Sequence, residues 1–284
     1  MTAASSSGHV DLDALLRLAS GIAHEAGALL LRLRAVARTE VGTKSSATDM
    51  VSDADRASER LIVERILTAR PGDAILGEEG GERTSAGGAA RVRWVVDPLD
   101  GTTNYLYGIP FFAVSVGVEV DGEVVVGVVF DPSHGELFAA ARGGGATLNG
   151  APIGVTAKAD LETALVDTGF DYAAVRRARQ GDTVARVLPL VRDIRRQGAA
   201  SLDLCWVACG RTDAYYERGL GGWWDIAAGD LIVREAGGQT ASLDGGGWSA
   251  AAAAAARTPA RSGAWSGLTR LPGCGGGRTL GGHG

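Results

Sequence analysis

Between residues 112 and 130 the chain has few conformational choices. Phe112, Val114, Val116, Val118 and Val120 alternate with smaller or polar residues, Asp121-Gly122 follows, and a second valine-rich run extends from Val124 to Phe130. A period of two puts β-branched side chains on one face of a pleated strand, and Asp-Gly suits the two-residue turn that joins antiparallel neighbours. The pattern predicts a β-hairpin, and the segments around it must supply the layers that cover it.

Those segments alternate in period. Residues 12–33 place Leu15, Leu16, Ala19, Ile22, Ala23, Ala26, Leu29, Leu30 and Leu33 at helical spacing, with arginines on the other side. A second helix is expected over 52–69, with Asp53 and Asp55 at its start and Pro71-Gly72 stopping it. Arg93 to Val96 reads as a strand that ends abruptly at Asp97-Pro98, because proline cannot donate to a ladder. Residues 136–142 predict another strand. The Gly143-Gly144-Gly145 after it lacks the Lys-Ser/Thr of a phosphate-binding loop and receives no phosphate role.

The second half alternates a strand at 164–167, a helix at 172–191, a strand near 193–196, a helix at 200–210 and a strand-like 213–217. A last helix is expected to start with Asp225 as its N-cap and to close at Gly237-Gly238. The resulting class is α/β, with layered α and β packing. Beyond Ser242 the signals fade, and residues 245–284 form a Gly/Ala/Arg-rich tail with few side chains able to build a strand or helix face.

Composition narrows the function. The net charge is −5 and the basic residues are scattered, so the footprint of a nucleic-acid binder is missing. An acidic chain would also repel anionic substrates, so a phosphate site here is expected to import its positive charge as metal. The first residues carry no basic-then-apolar leader, and no apolar run approaches bilayer length; the expectation is a cytoplasmic protein without a membrane partner. Cys205 and Cys209 lie one helical turn apart, no second pair completes a zinc site with Cys274, and core packing is expected for the first two. His9, His24, His134 and His283 form no metal pair and read as surface or loop residues; no Gly-x-Ser-x-Gly elbow is present.

Carboxylates remain. Glu78-Glu79 lie between glycines, Asp97 and Asp100 flank Pro98-Leu99, and Trp224-Asp225 follows far downstream. Hard oxygen ligands of this kind suit magnesium better than zinc, and Asp97 could be shared by two ions. Gly101-Thr102-Thr103 could turn backbone N–H groups toward a phosphate oxygen. Each residue alone has a plainer reading, as a solvated charge or a strand-ending turn; their conjunction is what points to phosphate chemistry.

Trp94-Val95-Val96-Asp97-Pro98-Leu99-Asp100-Gly101-Thr102-Thr103-Asn104 resembles the first signature of the inositol monophosphatase family. The stretch from Trp224-Asp225-Ile226-Ala227-Ala228-Gly229 to Ala236-Gly237-Gly238 is similar to the second, and Gly77-Glu78-Glu79 to the family's acidic loop. The similarity runs in order from about Leu12 to Leu243. It implies a five-layered αβαβα sandwich and magnesium-dependent, lithium-sensitive hydrolysis of a small phosphate monoester, foremost myo-inositol 1-phosphate, by a homodimer with two or three Mg²⁺ per site. Histidinol-phosphate, fructose-1,6-bisphosphate and 3′-phosphoadenosine phosphatases share that core and stand as alternatives, as does a non-catalytic regulatory homologue.

By the same resemblance, Glu78, Asp97 and the Leu99 carbonyl correspond to ligands of the first metal, and Asp97, Asp100 and Asp225 to those of the second. Glu78 borders a weaker third site. Glu78 and Thr102 would orient the attacking water, with Asp55 supporting the threonine, and Lys44 would lie in a loop beside the metals. Asp100, Gly101, Thr102, Gly198, Ala199, Ala200, Glu217 and Asp225 would face the substrate. Residues 1–150 would then carry most metal ligands, and 151–244 would close the site. Two departures are visible: Leu220-Gly221-Gly222-Trp223 makes the spacing from Glu217 to Asp225 one residue longer than usual, so the pocket edge is expected to differ, and the tail lacks the family's legible closing strand and helix.

Overall fold

The computed structural model describes residues 10–39, 47–83, 90–158, 160–243 and 254–257. Around the valine hairpin the chain builds a sheet from β1 (Ala74–Gly77), β2 (Gly81–Arg83), β3 (Val92–Asp100), β4 (Ala113–Val120), β5 (Glu123–Asp131), β6 (Glu136–Ala141), β7 (Ala146–Leu148) and β8 (Ala151–Pro152). Their order is β2-β1-β3-β4-β5-β6-β7-β8. The hairpin turn is the expected one: Val120 pairs with Glu123, and Asp121 (φ 54°) and Gly122 (φ 84°) both take positive φ, the geometry that matches the twist of the strands.

Among the described residues, six α-helices accompany it: α1 (Leu12–Thr39), α2 (Ala47–Ala69), α3 (Thr102–Tyr107), α4 (Ala174–Val187), α5 (Ala200–Ala208) and α6 (Ala227–Glu235). Alternation sorts the sheet's two faces. Trp94 and Val96 of β3 meet Ile22, Leu30, Ile62 and Ile66 of α1 and α2, whereas Val95 joins Leu202, Leu204, Leu231 and Ile232 of α5 and α6. A second sheet, β9 (Leu165–Thr168), β10 (Asp193–Arg195), β11 (Ala214–Tyr216), β12 (Gln239–Ser242) and β13 (Ala254–Arg257), runs in the order β10-β9-β11-β13-β12. Tyr215 points to the α5/α6 core, while Ala214 and Tyr216 point to Val187 of α4. The layers are therefore α1/α2, large sheet, α5/α6, small sheet, α4, the αβαβα sandwich that the resemblance implies.

Several expectations need correction. α2 begins at Ala47 rather than 52, so Asp53 and Asp55 lie inside the helix; the apolar stripe starts later than the helix does, and no Gly or Pro interrupts the residues before it. β3 does not stop at Pro98. Asp97 pairs with Ser115 and Asp100 with Ala113, so three steps on β3 face two on β4, and this bulge absorbs the proline inside a central strand. The helix expected over 172–191 ends at Val187, and a 3₁₀ turn containing Pro189 follows.

Asp225 is not an N-cap: it ends a 3₁₀ turn, Trp223–Asp225, and α6 starts at Ala227. The tail, in which no strand was legible, supplies β13 between β11 and β12; ladder bonds use the backbone, so an alanine run suffices. Finally, α1 is long and apolar enough over Leu12–Ala35 to cross a bilayer by length and composition, contrary to the expectation that no run approaches that length. Its apolar stripe is spent on the core, where Leu15, Ala19, Ile22, Ala23, Ala26 and Leu30 are buried.

Two glycines let α6 lie directly on the hairpin. A Cβ on Gly127 would stand 2.5 Å from the Ala228 carbonyl oxygen, and one on Gly117 would stand 3.2 Å from the Ala227 Cβ. The start of α6, and with it Asp225, is thereby fixed against β4 and β5.

Candidate active site

Parallel pairing of β1 with β3 is what joins the acidic loop to the Asp97 bulge. Gly77 pairs with Val96, and the Glu78 N–H donates to the Val96 carbonyl at 3.2 Å. Glu78 and Asp97 thus leave neighbouring strand ends side by side, and their carboxyl groups share a hydrogen bond. Three residues on, the Asp100 carboxylate turns to the first turn of α5, accepting from the Ser201 N–H at 2.7 Å and the Ser201 hydroxyl at 2.5 Å. Asp225 comes in from the 3₁₀ turn before α6, its carboxylate accepting from the Gly222 N–H at 3.1 Å.

These four carboxylates face one cleft of about 1400 Å³, together with Leu99, Gly101, Thr102, Gly198, Ala199, Ala200 and Glu217. Residues that stand far apart in the chain are thus brought together as the motifs suggested. Lys44 lies outside the described residues, and Asp55 is not on the cleft wall. Asp55 sits behind it in α2, close enough for Glu78, Glu79 and Glu59 to act on it.

The electrostatics of the four carboxylates are set by burial and by one another, while the cleft's Arg196 is among the leading influences on Glu217. Burial first, then Glu78, Asp100 and Asp225, drives Asp97 well above the carboxylate range. Glu78 is raised by burial and then by Asp225. Asp100 is raised by burial against the opposing bonds from Ser201, and Asp225 by burial against those from Gly222 and Gly221. No basic side chain is among the leading influences on any of the four. Among the described residues, no three acidic, histidine or cysteine side chains are already arranged around one coordination point; Asp100 and Asp225 are instead turned to their own N–H donors. A hard divalent cation fits this donor set, because it would replace mutual repulsion with attraction using oxygen ligands alone.

Gly101 opens α3 at φ 89°, and a Cβ there would press to 3.0 Å on the Phe111 carbonyl oxygen. The Thr102 hydroxyl, one residue on, donates to the Leu99 carbonyl at 3.0 Å. The expected support of Thr102 by Asp55 is therefore not the contact present: the threonine's proton goes to the bulge backbone, which is nearer along the chain, and one Asp55 oxygen is buried without a partner. Glu217 accepts from the Tyr215 hydroxyl at 2.7 Å, and burial pushes it to about 7. Gly169 makes room for it, since a Cβ there would fall within 1.8 Å of its carboxylate.

Several supporting residues escaped the sequence reading. The Ser58 hydroxyl donates to the Pro98 carbonyl at 2.9 Å, and Glu59 accepts from the Glu79 N–H at 2.8 Å; they hold the bulge and the acidic loop from α2. Their spacing of three and four from Asp55 places all three on one helix face, which was the available signal. Asn104 joins the two halves by donating to the Phe111 and Gln197 carbonyls, each at 2.7 Å. In the triple glycine, the Gly143 and Gly145 N–H groups both donate to the Glu235 carboxylate, each at 2.9 Å. His24 and His134 are exposed, the first against the Phe130 ring and the second 2.7 Å from Asp131. Cys205 is buried, as expected of a packing residue.

Comparison with known proteins agrees with this geometry. The family model described as "Inositol monophosphatase family" matches residues 11–266. The inositol-1-monophosphatase SuhB of Mycobacterium tuberculosis is 49% identical over 203 residues, covering 69% of this chain and 70% of its own. The Nus factor SuhB of Xylella fastidiosa is 45% identical over 224 residues, covering 78% and 80%. Among solved structures, the extragenic suppressor protein suhB of Bartonella henselae superposes with a TM-score of 0.79 at 38% identity, covering 90% of this chain and 97% of its own. The inositol monophosphatase of Anabaena does so with 0.76 at 35%, covering 92% and 96%. With its signatures folded into one acidic cleft, its layers in the expected order and most of its length matched, this chain belongs to the inositol monophosphatase family.

Proposed function

We propose that the chain is a magnesium-dependent phosphatase that hydrolyses a small phosphate monoester, myo-inositol 1-phosphate before others. The observation that carries the reading is the convergence of Glu78, Asp97, Asp100 and Asp225 on one cleft, with no basic side chain among the leading influences on any of the four. Glu78, Asp97, Asp100, Asp225 and the Leu99 carbonyl would hold two ions, with Glu78 bordering a third. Bound Mg²⁺ would supply charge for the phosphoryl oxygens and lower the pKa of a coordinated water.

The chain's own groups do the remaining work. Glu78 orients the attacking water from the carboxylate side of the cleft. Thr102 swings its hydroxyl from the Leu99 carbonyl to orient that water, and the Gly101–Thr102 turn faces the phosphate. On the leaving-group side, the Glu217–Tyr215 pair and the backbone of 198–200 receive hydroxyls of the organic part. A buried carboxyl flanked by a phenol is a polar surface suited to a polyol, and relatives named inositol-1-monophosphatase support that choice of alcohol.

Some relatives carry the name Nus factor SuhB, so a regulatory role without turnover is the second reading. The complete carboxylate set favours catalysis. A panel of inositol 1-phosphate, histidinol phosphate, fructose 1,6-bisphosphate and 3′-phosphoadenosine 5′-phosphate, with released phosphate measured, tests the proposal. Magnesium-dependent release, fastest with inositol 1-phosphate and suppressed by lithium, is expected. Preference for another substrate overturns the choice of alcohol, and no release from any overturns the enzyme. A homodimer is part of the same reading, and the mass in solution checks it.

A further inference from the structure

The longer spacing before Asp225 has a structural counterpart. Trp223 and Trp224 occupy the 3₁₀ turn that ends in Asp225, and the turn lies on β3 and β4. On the face of β4 that looks toward α6, the alternating residues are Ser115, Gly117 and Glu119. Ser115 donates to the Trp224 carbonyl at 3.4 Å. Glu119 accepts from the Trp223 indole N–H at 2.7 Å. Gly117, between them, leaves room for Ala227 just past the turn. One strand face thus grips the turn on both sides of the point where α6 lands.

Glu119 is an unusual residue to find there. It is 3% exposed in the middle of a sheet, and its other oxygen accepts from Arg93 Nε at 2.6 Å across the β3–β4 pair. The ladder with β5 shifts register between Val118 and Glu119, a bulge that can re-aim the side chain. A charged acceptor bound to an indole N–H makes a stronger and more directional tie than a neutral one. On the other side of the turn, the Asp225 carboxylate is held by the Gly222 N–H. A Cβ on Gly222 would strike the Trp224 ring at 2.3 Å, so the turn has little freedom to relax.

We propose that Arg93, Glu119 and Trp223 form a relay that sets the position of Asp225, making Glu119 and Trp223 positioning residues for the carboxylate that faces the cleft from the second half. The inference rests on the metal-binding reading above. Groups that orient ligands from behind are commonly worth about 10–100-fold in metal affinity.

The test is calorimetric titration of Mg²⁺ into the whole protein and into Trp223→Phe, Glu119→Ala and Glu119→Gln. Trp223→Phe and Glu119→Ala are expected to bind Mg²⁺ at least fivefold more weakly. Glu119→Gln, whose amide oxygen can still accept the indole proton but whose NH2 then faces the Arg93 donor, is expected to fall between the parent and Glu119→Ala. The same titration followed by nitrogen-15 NMR of the parent should move the Trp223 indole resonance, assigned by its loss in Trp223→Phe. Unchanged Mg²⁺ affinity in folded Trp223→Phe, or an indole signal indifferent to Mg²⁺ in a parent that binds it, overturns the relay. A folded parent that binds no Mg²⁺ overturns the metal-binding reading itself and the relay with it.

Discussion

Buried in α2 with one oxygen unpartnered, Asp55 holds its proton far longer than an exposed aspartate. Burial first, then Glu78, Glu79 and Glu59, pushes it to about 8 from an ordinary 3.8. An unfolded chain releases that proton near pH 4, whereas the metal-free folded chain keeps it until about 8. Between these values the folded state binds more protons, so this contribution to stability is complete below pH 4 and declines as pH rises through 8, by at most about 1.4 kcal/mol per pH unit for one group. Asp55→Asn should therefore give chelator-treated protein a shallower fall in urea stability between pH 5 and 8; an unaltered slope would contradict the environment described for Asp55. Asp97→Asn relieves the most crowded carboxylate. It should raise the melting temperature of the metal-free protein while reducing phosphate release at least about a hundredfold, and a variant that loses both would mark Asp97 as structural. Asp97 and Asp100 were legible because they stand in one short signature. Ser58 and Glu59 were not, because on a helix a serine and a glutamate usually read as solvated.

Among the elements, α6 depends on two glycines of the hairpin as well as on its own buried side chains. Its backbone rests on Gly117 and Gly127, and a methyl group on Gly127 would meet the Ala228 carbonyl oxygen at 2.5 Å. Gly127→Ala is expected to cost about 1–3 kcal/mol by overpacking, read as a lower urea midpoint, and to weaken Mg²⁺ binding by displacing Asp225; full stability would show that α6 does not press on the hairpin. Periodicity revealed the long helices and the strands that carry the core, since a core-facing stripe is a local property, but not the short α3, β1, β2, β7, β8, β12 and β13. It misplaced the ends wherever a partner decided the outcome. Pro98 stays in β3 because β4 accepts a bulge opposite it, and Ala254–Arg257 becomes a strand because β11 and β12 offer free ladder positions on both sides. Neither partner is visible from within the segment itself.

Across the whole molecule, an acidic chain of net charge −5 concentrates carboxylates where the two halves meet. That concentration costs stability in the absence of cations, so Mg²⁺ should act as a folding ligand: at a concentration 100 times its dissociation constant it would add about 2.7 kcal/mol. Thermal melts with Mg²⁺ and with chelator should differ by several degrees in the parent and by much less in Asp97→Asn. The layer order was legible from alternating elements and the two signatures. The ties between halves, Asn104 to Gln197 and Asp100 to Ser201, were not, because they join residues about a hundred positions apart whose meeting depends on every layer between them. The most direct measurement is calorimetric titration of Mg²⁺ into the folded parent and Asp97→Asn under identical conditions. Saturable binding by the parent, at least tenfold weaker in the variant, is the predicted result; no heat from the parent, or equal affinity in the two proteins, would contradict the shared carboxylate site.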